Sequence, residues 1–132
     1  MNILLTVHSS LRWLILLVAV IAIGKFFIGW LRRSQFMGMD RGLMAGFSGL
    51  MDLQATVGII LLLWGGVAGL GFPRYRLEHG LIMIIAAVVT HFSARWKEAD
   101  DPVRFRNHLF LIVASLVLVL IGISVLPGGS NR

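Results

Sequence analysis

Five residues in this otherwise apolar chain have chemistry to offer: the histidines His8, His79, His91 and His108, and the aspartate Asp52. All five fall in or at the ends of apolar runs, where an ionisable side chain is costly enough to be a functional candidate by default. A neutral imidazole ligates a transition metal through its unprotonated ring nitrogen. Two imidazoles at one depth on adjacent helices are the ligand set of a six-coordinate b-type haem, each reaching the iron from its own side of a flat ring. The chain has no cysteine, which rules out a disulfide, a cysteine-ligated iron–sulfur cluster and a thioether-attached haem. Any haem here would be held non-covalently.

The elements that must position these residues follow from composition. Of 132 residues, 58% are hydrophobic and 14% charged, and the mean hydropathy of +0.88 is far above that of a soluble domain of this size. This is the composition of an integral membrane protein. The formal charge of +6 does not point to nucleic acid, because the basic residues cluster at the ends of apolar runs, where they mark topology. The N-terminal MNILLTVHSSLRW lacks the basic start of a signal peptide, so a retained first helix is expected. Four spans are predicted, at about residues 7–31, 43–65, 77–97 and 102–126, each near the roughly 20 apolar residues that cross a bilayer. Asp101 reads as the N-cap of the fourth and Pro102 as its first residue. In the second, small residues four apart, Gly42 with Gly46 and Ala45 with Gly49, would let another helix approach closely.

Short connections favour a single-domain, all-α membrane fold, an antiparallel up-down bundle of four transmembrane helices. Arg32, Arg33, Arg41, Arg95, Lys97, Arg104 and Arg106 gather in or beside the first and third connections, against Arg12, Arg74, Arg76 and Arg132 on the other side. The positive-inside rule then puts both termini outside.

At about 1.5 Å per residue this topology sorts the histidines into two levels. His8 and His79 begin parallel spans and form an outer pair. His91 and His108 flank the third connection and form an inner pair. The twelve residues between His79 and His91 correspond to roughly 120° around a helix, so His79 is free to face the first span while His91 faces the fourth. The histidines share stripes with small residues: His8 with Arg12, Ile15, Ala19 and Ala22, His79 with Met83, Ala86 and Thr90, and His108 with Ile112, Ser115, Val119 and Gly122. Arg12, Arg74 and Arg76 outside, and Arg95, Arg104 and Arg106 inside, are available to haem propionates. Met83, one turn after His79, is an alternative axial ligand but is read as pocket lining. Taken singly, a histidine near a span end is as readily an interfacial hydrogen-bonder as a ligand.

Asp52 needs a partner inside the bundle. It reads equally as a proton relay or an acceptor for the ring N–H of a ligating His91, and as half of a buried ion pair with Lys25. Glu78 with Arg12 carries the same ambiguity, and Lys25 alone would snorkel. No nucleophile–base pair, phosphate loop or carboxylate metal cluster can be assembled, which argues against a hydrolase or transferase.

At His8-Ser-Ser-Leu-Arg12-Trp13, at Asp52-Leu-Gln54 followed by Gly58, and at Glu78-His79 followed by Met83, the chain resembles small bacterial four-span membrane proteins labelled cytochrome b-like or left uncharacterised. The resemblance implies a haem-bearing electron carrier and applies most directly to His8 and His79. The expectation is a cytochrome b-like protein of the bacterial plasma (inner) membrane. It would hold one or two haems and exchange electrons with quinone or quinol, or with a redox partner protein. The runner-up is a non-catalytic accessory subunit of a larger respiratory or photosynthetic complex, and a small proton-conducting bundle built on Asp52 ranks third. Beyond membrane lipid and such a complex, a second copy of the chain is the other expected partner, since four short spans leave limited room for two macrocycles.

Overall fold

The computed structural model describes residues 2–128, so Arg132 lies outside the described residues. Every regular element among them is helical: α1 (Asn2–Arg32), α2 (Gly38–Gly65), α3 (Arg74–Thr90) and α4 (Asp101–Ser124). A short π-helical stretch, Gly66–Leu70, extends α2, and a 3-10 turn, His91–Trp96, extends α3. The four helices, with these extensions, are each long and apolar enough to cross a membrane. The outward faces are as apolar as the interior, with Leu17, Val20, Leu63, Val88 and Leu120 all exposed. A surface of that kind is costly in water and inexpensive in lipid, and the chain is a multi-pass membrane protein.

The helix ends differ from expectation in instructive ways. α2 starts five residues early because Asp40, in its first turn, accepts the backbone N–H of Met37 through Oδ2 at 2.9 Å. That satisfies one of the N–H groups a helix start leaves orphaned. α4 also begins one residue early, with Asp100 rather than Asp101 at the cap position and Pro102 in the first turn, where its missing N–H costs nothing. At the far end of α2 the chain leaves the helix through Gly69 (φ 119°) and Gly71 (φ 71°), conformations that a residue with a Cβ adopts only under strain. Arg76 of α3 donates to the carbonyls of Leu61 and Leu62 (3.1 and 3.2 Å) and ties this end of α2 down.

α1 packs against α2 and α4, and α3 against the same two helices. The buried positions follow the stripes read from the sequence: Ile15, Ala19 and Ala22 on α1, Ala86 and Thr90 on α3, and His108, Ile112, Ser115 and Gly122 on α4. Phe26, Phe36, Phe47 and Phe105 fill the space between them. Polar side chains also cross between helices, as where Ser115 Oγ donates to the Ala86 carbonyl at 2.9 Å.

Among the described residues, no helix of this chain uses Gly42, Gly46 or Gly49 of α2 for close approach. All three are exposed, and a Cβ added to any of them would meet nothing within 4 Å. Close approach occurs elsewhere. A Cβ on Gly29 would come within 2.6 Å of the buried Phe105 ring, so Gly29 is what lets α1 lie against α4.

Candidate functional site

At one end of the bundle, α1 presents His8 and α3 presents His79. His79 is held by its Nδ1, which lies 2.7 Å from the Gly122 carbonyl of α4. A carbonyl accepts, so Nδ1 carries the proton and Nε2 is the nitrogen left to ligate. His8 packs over Gly58 of α2, where a Cβ would stand 3.2 Å from its Cε1. Its Nδ1 is buried with no hydrogen-bond partner, while its backbone carbonyl accepts from Gln54 Nε2 at 2.7 Å. Gln54 Oε1 and Arg76 Nε are likewise buried and unpartnered. Such orphaned polar atoms are uncommon in a native interior and call for a specific explanation.

The other sequence-selected residues at this end are less tightly gathered. The Met83 methyl packs against Gly122, where a Cβ would stand 2.9 Å from it. Arg12 lies over the Trp13 ring, with 5.0 Å from Cζ to the ring centroid. Arg74 points outward and pairs with Glu78 one turn on, so Glu78 has a partner within its own helix.

At the opposite end, α2, the 3-10 turn and α4 surround a cavity of about 680 Å³. His91 and His108 both line it, as does Asp52. Asp52 and His91 meet, with both carboxylate oxygens 2.9 Å from His91 Nε2. This is the contact expected of an acceptor that fixes the tautomer, with Nε2–H donating and Nδ1 left free. Both side chains are half-exposed. His108, by contrast, is buried, with its ring edge-on to Phe36 (5.0 Å) and Phe26 (5.8 Å). Its Nδ1 has no partner.

The alternative pairing of Asp52 with Lys25 is not what forms. Lys25 Nζ instead donates to Asp40 Oδ1 at 2.6 Å. The reason is the early start of α2, which puts a carboxylate opposite Lys25 three turns before Asp52. Sequence reasoning missed Ser48 and its pairing with Thr90, the two buried between α2 and α3 with their hydroxyls 2.8 Å apart. Thr90 donates onward to the Ala87 carbonyl at 2.7 Å, so the shared proton comes from Ser48. Both were findable in principle, since Ser48 lies one turn before Asp52 on the same face and Thr90 adjoins His91.

Ser48, His91 and Asp52 do not form a nucleophilic triad. Ser48 Oγ stands 3.5 Å from the same Nε2 that Asp52 holds, whereas a triad needs the acid on the other ring nitrogen. Among the described residues no three His, Cys, Asp or Glu side chains gather as a metal site. A haem iron needs only one or two side chains and is a separate matter. Comparison with protein-family models, with curated proteins and with solved structures finds no match for the chain.

Proposed function

We propose that this chain is a b-type cytochrome-like electron carrier with one haem held non-covalently between His8 and His79. The observation that carries the reading is the orientation of His79: the Gly122 carbonyl occupies Nδ1 and leaves Nε2 to ligate, at the same end of the bundle as a half-buried His8 whose Nδ1 has no partner. A ligating histidine is ordinarily fixed through its other ring nitrogen in this way. Gly58 leaves room for the His8 ring, and in this proposal Arg12 and Arg76 serve the propionates. When bound, haem b supplies a reversible one-electron couple. The chain's part is to orient two imidazoles, bury the ring and exclude water.

One haem is preferred to two because the His91–His108 cavity is lined by charges and hydroxyls, whereas a macrocycle needs apolar walls on both faces. The electron donor or acceptor in this proposal is a membrane quinone or quinol, or a redox partner protein. The contacts of Gln54 with His8 and of Asp40 with Lys25, at opposite ends of α1, support an antiparallel up-down arrangement. The excess of basic residues in the first and third connections supports termini outside a bacterial plasma membrane.

The test is a dithionite-reduced minus oxidised spectrum of protein expressed with ample haem. A sharp α-band is expected. It should be lost in His8→Ala and in His79→Ala and kept in His91→Ala. A flat spectrum from the well-folded parent chain would overturn the proposal.

A second reading, an accessory subunit of a larger membrane complex, is favoured by the bare glycine face of α2, to which no helix of the chain docks. Under that reading Gly46→Leu abolishes co-purification with a larger complex, while His8→Ala does not alter it.

A further inference from the structure

We propose that the cavity at the His91 end binds the phosphate-bearing headgroup of an acidic membrane lipid. Three cations line it, and they come from three different elements: Arg41 from α2, Lys97 just beyond the 3-10 turn, and Arg104 from α4. Charges on one exposed helix face are usually solvated and separate, whereas these converge on one volume of about 680 Å³. That is within the range of small-molecule sites and ample for a phosphate with its glycerol.

Two features make this a built site. The Arg104 guanidinium is fixed over the Phe36 ring, with its Cζ 3.9 Å from the centroid, and its Nε is buried without a partner. His108, itself 4% exposed, also lines the cavity and has a buried ring nitrogen, Nδ1, without a partner, while the donors that the lining offers are the two guanidinium groups and the Lys97 ammonium. Phosphate oxygens are strong acceptors for donors of this kind. Of the two carboxylates in the lining, Asp52 is already engaged by His91, which leaves Glu98 against three cations.

The wall of the cavity identifies the source of the phosphate. Ala45 and Gly49 line it and are exposed, with nothing within 4 Å of a Cβ on Gly49, and the exposed Gly42 and Gly46 adjoin them on the same helix. With α2 read as a membrane span, the cavity's open wall adjoins a helix face that acyl chains would cover. A headgroup held there keeps its chains against the bare glycine face. The inference does not depend on haem.

The experiment uses the full-length protein, delipidated in a neutral detergent with no haem added. Native mass spectrometry counts bound lipid after addition of phosphatidylglycerol, phosphatidylcholine or inorganic phosphate. One phosphatidylglycerol is expected to be retained per chain, in preference to phosphatidylcholine. Arg41→Gln combined with Lys97→Gln should lower retention on the order of tenfold. Arg32→Gln combined with Arg33→Gln, which removes the same charge from the exposed end of α1, should leave retention near the parent level. Equal losses in the two double variants would reduce the effect to general surface charge and overturn the site. So would retention of phosphatidylcholine equal to that of phosphatidylglycerol. If inorganic phosphate displaces the lipid at micromolar concentration, the ligand is a soluble anion and the lipid assignment fails.

Discussion

Asp40 and Asp52 lie on the same helix, one turn apart three times over, and their surroundings give them opposite weights. Asp40 is fully buried, salt-bridged to Lys25 and bonded to the Met37 N–H, so removing it strands a cation and a backbone donor together. Asp40→Ala should therefore destabilise the fold by about 1–3 kcal/mol, chiefly through the stranded Met37 N–H, since Lys25 is over a third exposed. Asp52→Ala, which breaks a half-exposed contact with His91, should cost less than about 1 kcal/mol. Reversible unfolding in mixed detergent micelles measures both, and a larger loss for Asp52 would contradict the assigned burial. At this scale the sequence was only partly legible. That Asp52 needed a partner followed from its apolar setting, and His91 was one of the two offered. Asp40 was passed over because it lay in an apparent linker, and only the early helix start, fixed by its own capping bond, turns it into a buried residue.

For the helices, apolar periodicity was the readable signal, and it located the inward stripes of α1, α3 and α4. It failed for α2, where small residues recur on more than one face and spacing alone does not say which one meets a neighbour. The contrast makes a test. Gly29→Ala should destabilise by about 1–3 kcal/mol, because its Cβ would press on Phe105, whose ring is hemmed in by Phe26 and Phe36 and has nowhere to go. Gly46→Ala should be neutral within about 0.5 kcal/mol, since its new methyl meets open space. Thermal melts of the two variants in one detergent separate these outcomes, and equal melting temperatures would mean that α1 and α4 are not in close contact.

Across the whole molecule, the number of helices and their membrane character were legible because bilayer thickness fixes the length of an apolar span. The ends were not, because π and 3-10 turns arise from local hydrogen bonding that hydropathy does not record. The proposed orientation has a direct check, helped by the absence of native cysteine. Ser34→Cys and Ala99→Cys, in the first and third connections, should react with a membrane-impermeant maleimide only after the cells are lysed, whereas Leu70→Cys should react on intact spheroplasts. The reverse pattern would invert the protein in the membrane. The 3-10 turn after α3 also acts as a phase shifter. Each of its residues advances about 20° further around the axis than an α-helical residue, so His91–Trp96 turns the chain by roughly a third of a revolution relative to a continued α3. One wall of the His91 cavity is thus indexed separately from the core beneath it. Insertion of a single residue between Phe92 and Ser93 would rotate Ser93, Ala94 and Lys97 away from Asp52 while leaving the packing of Ala86 and Thr90 in place, so the cavity could be rewritten without rewriting the bundle.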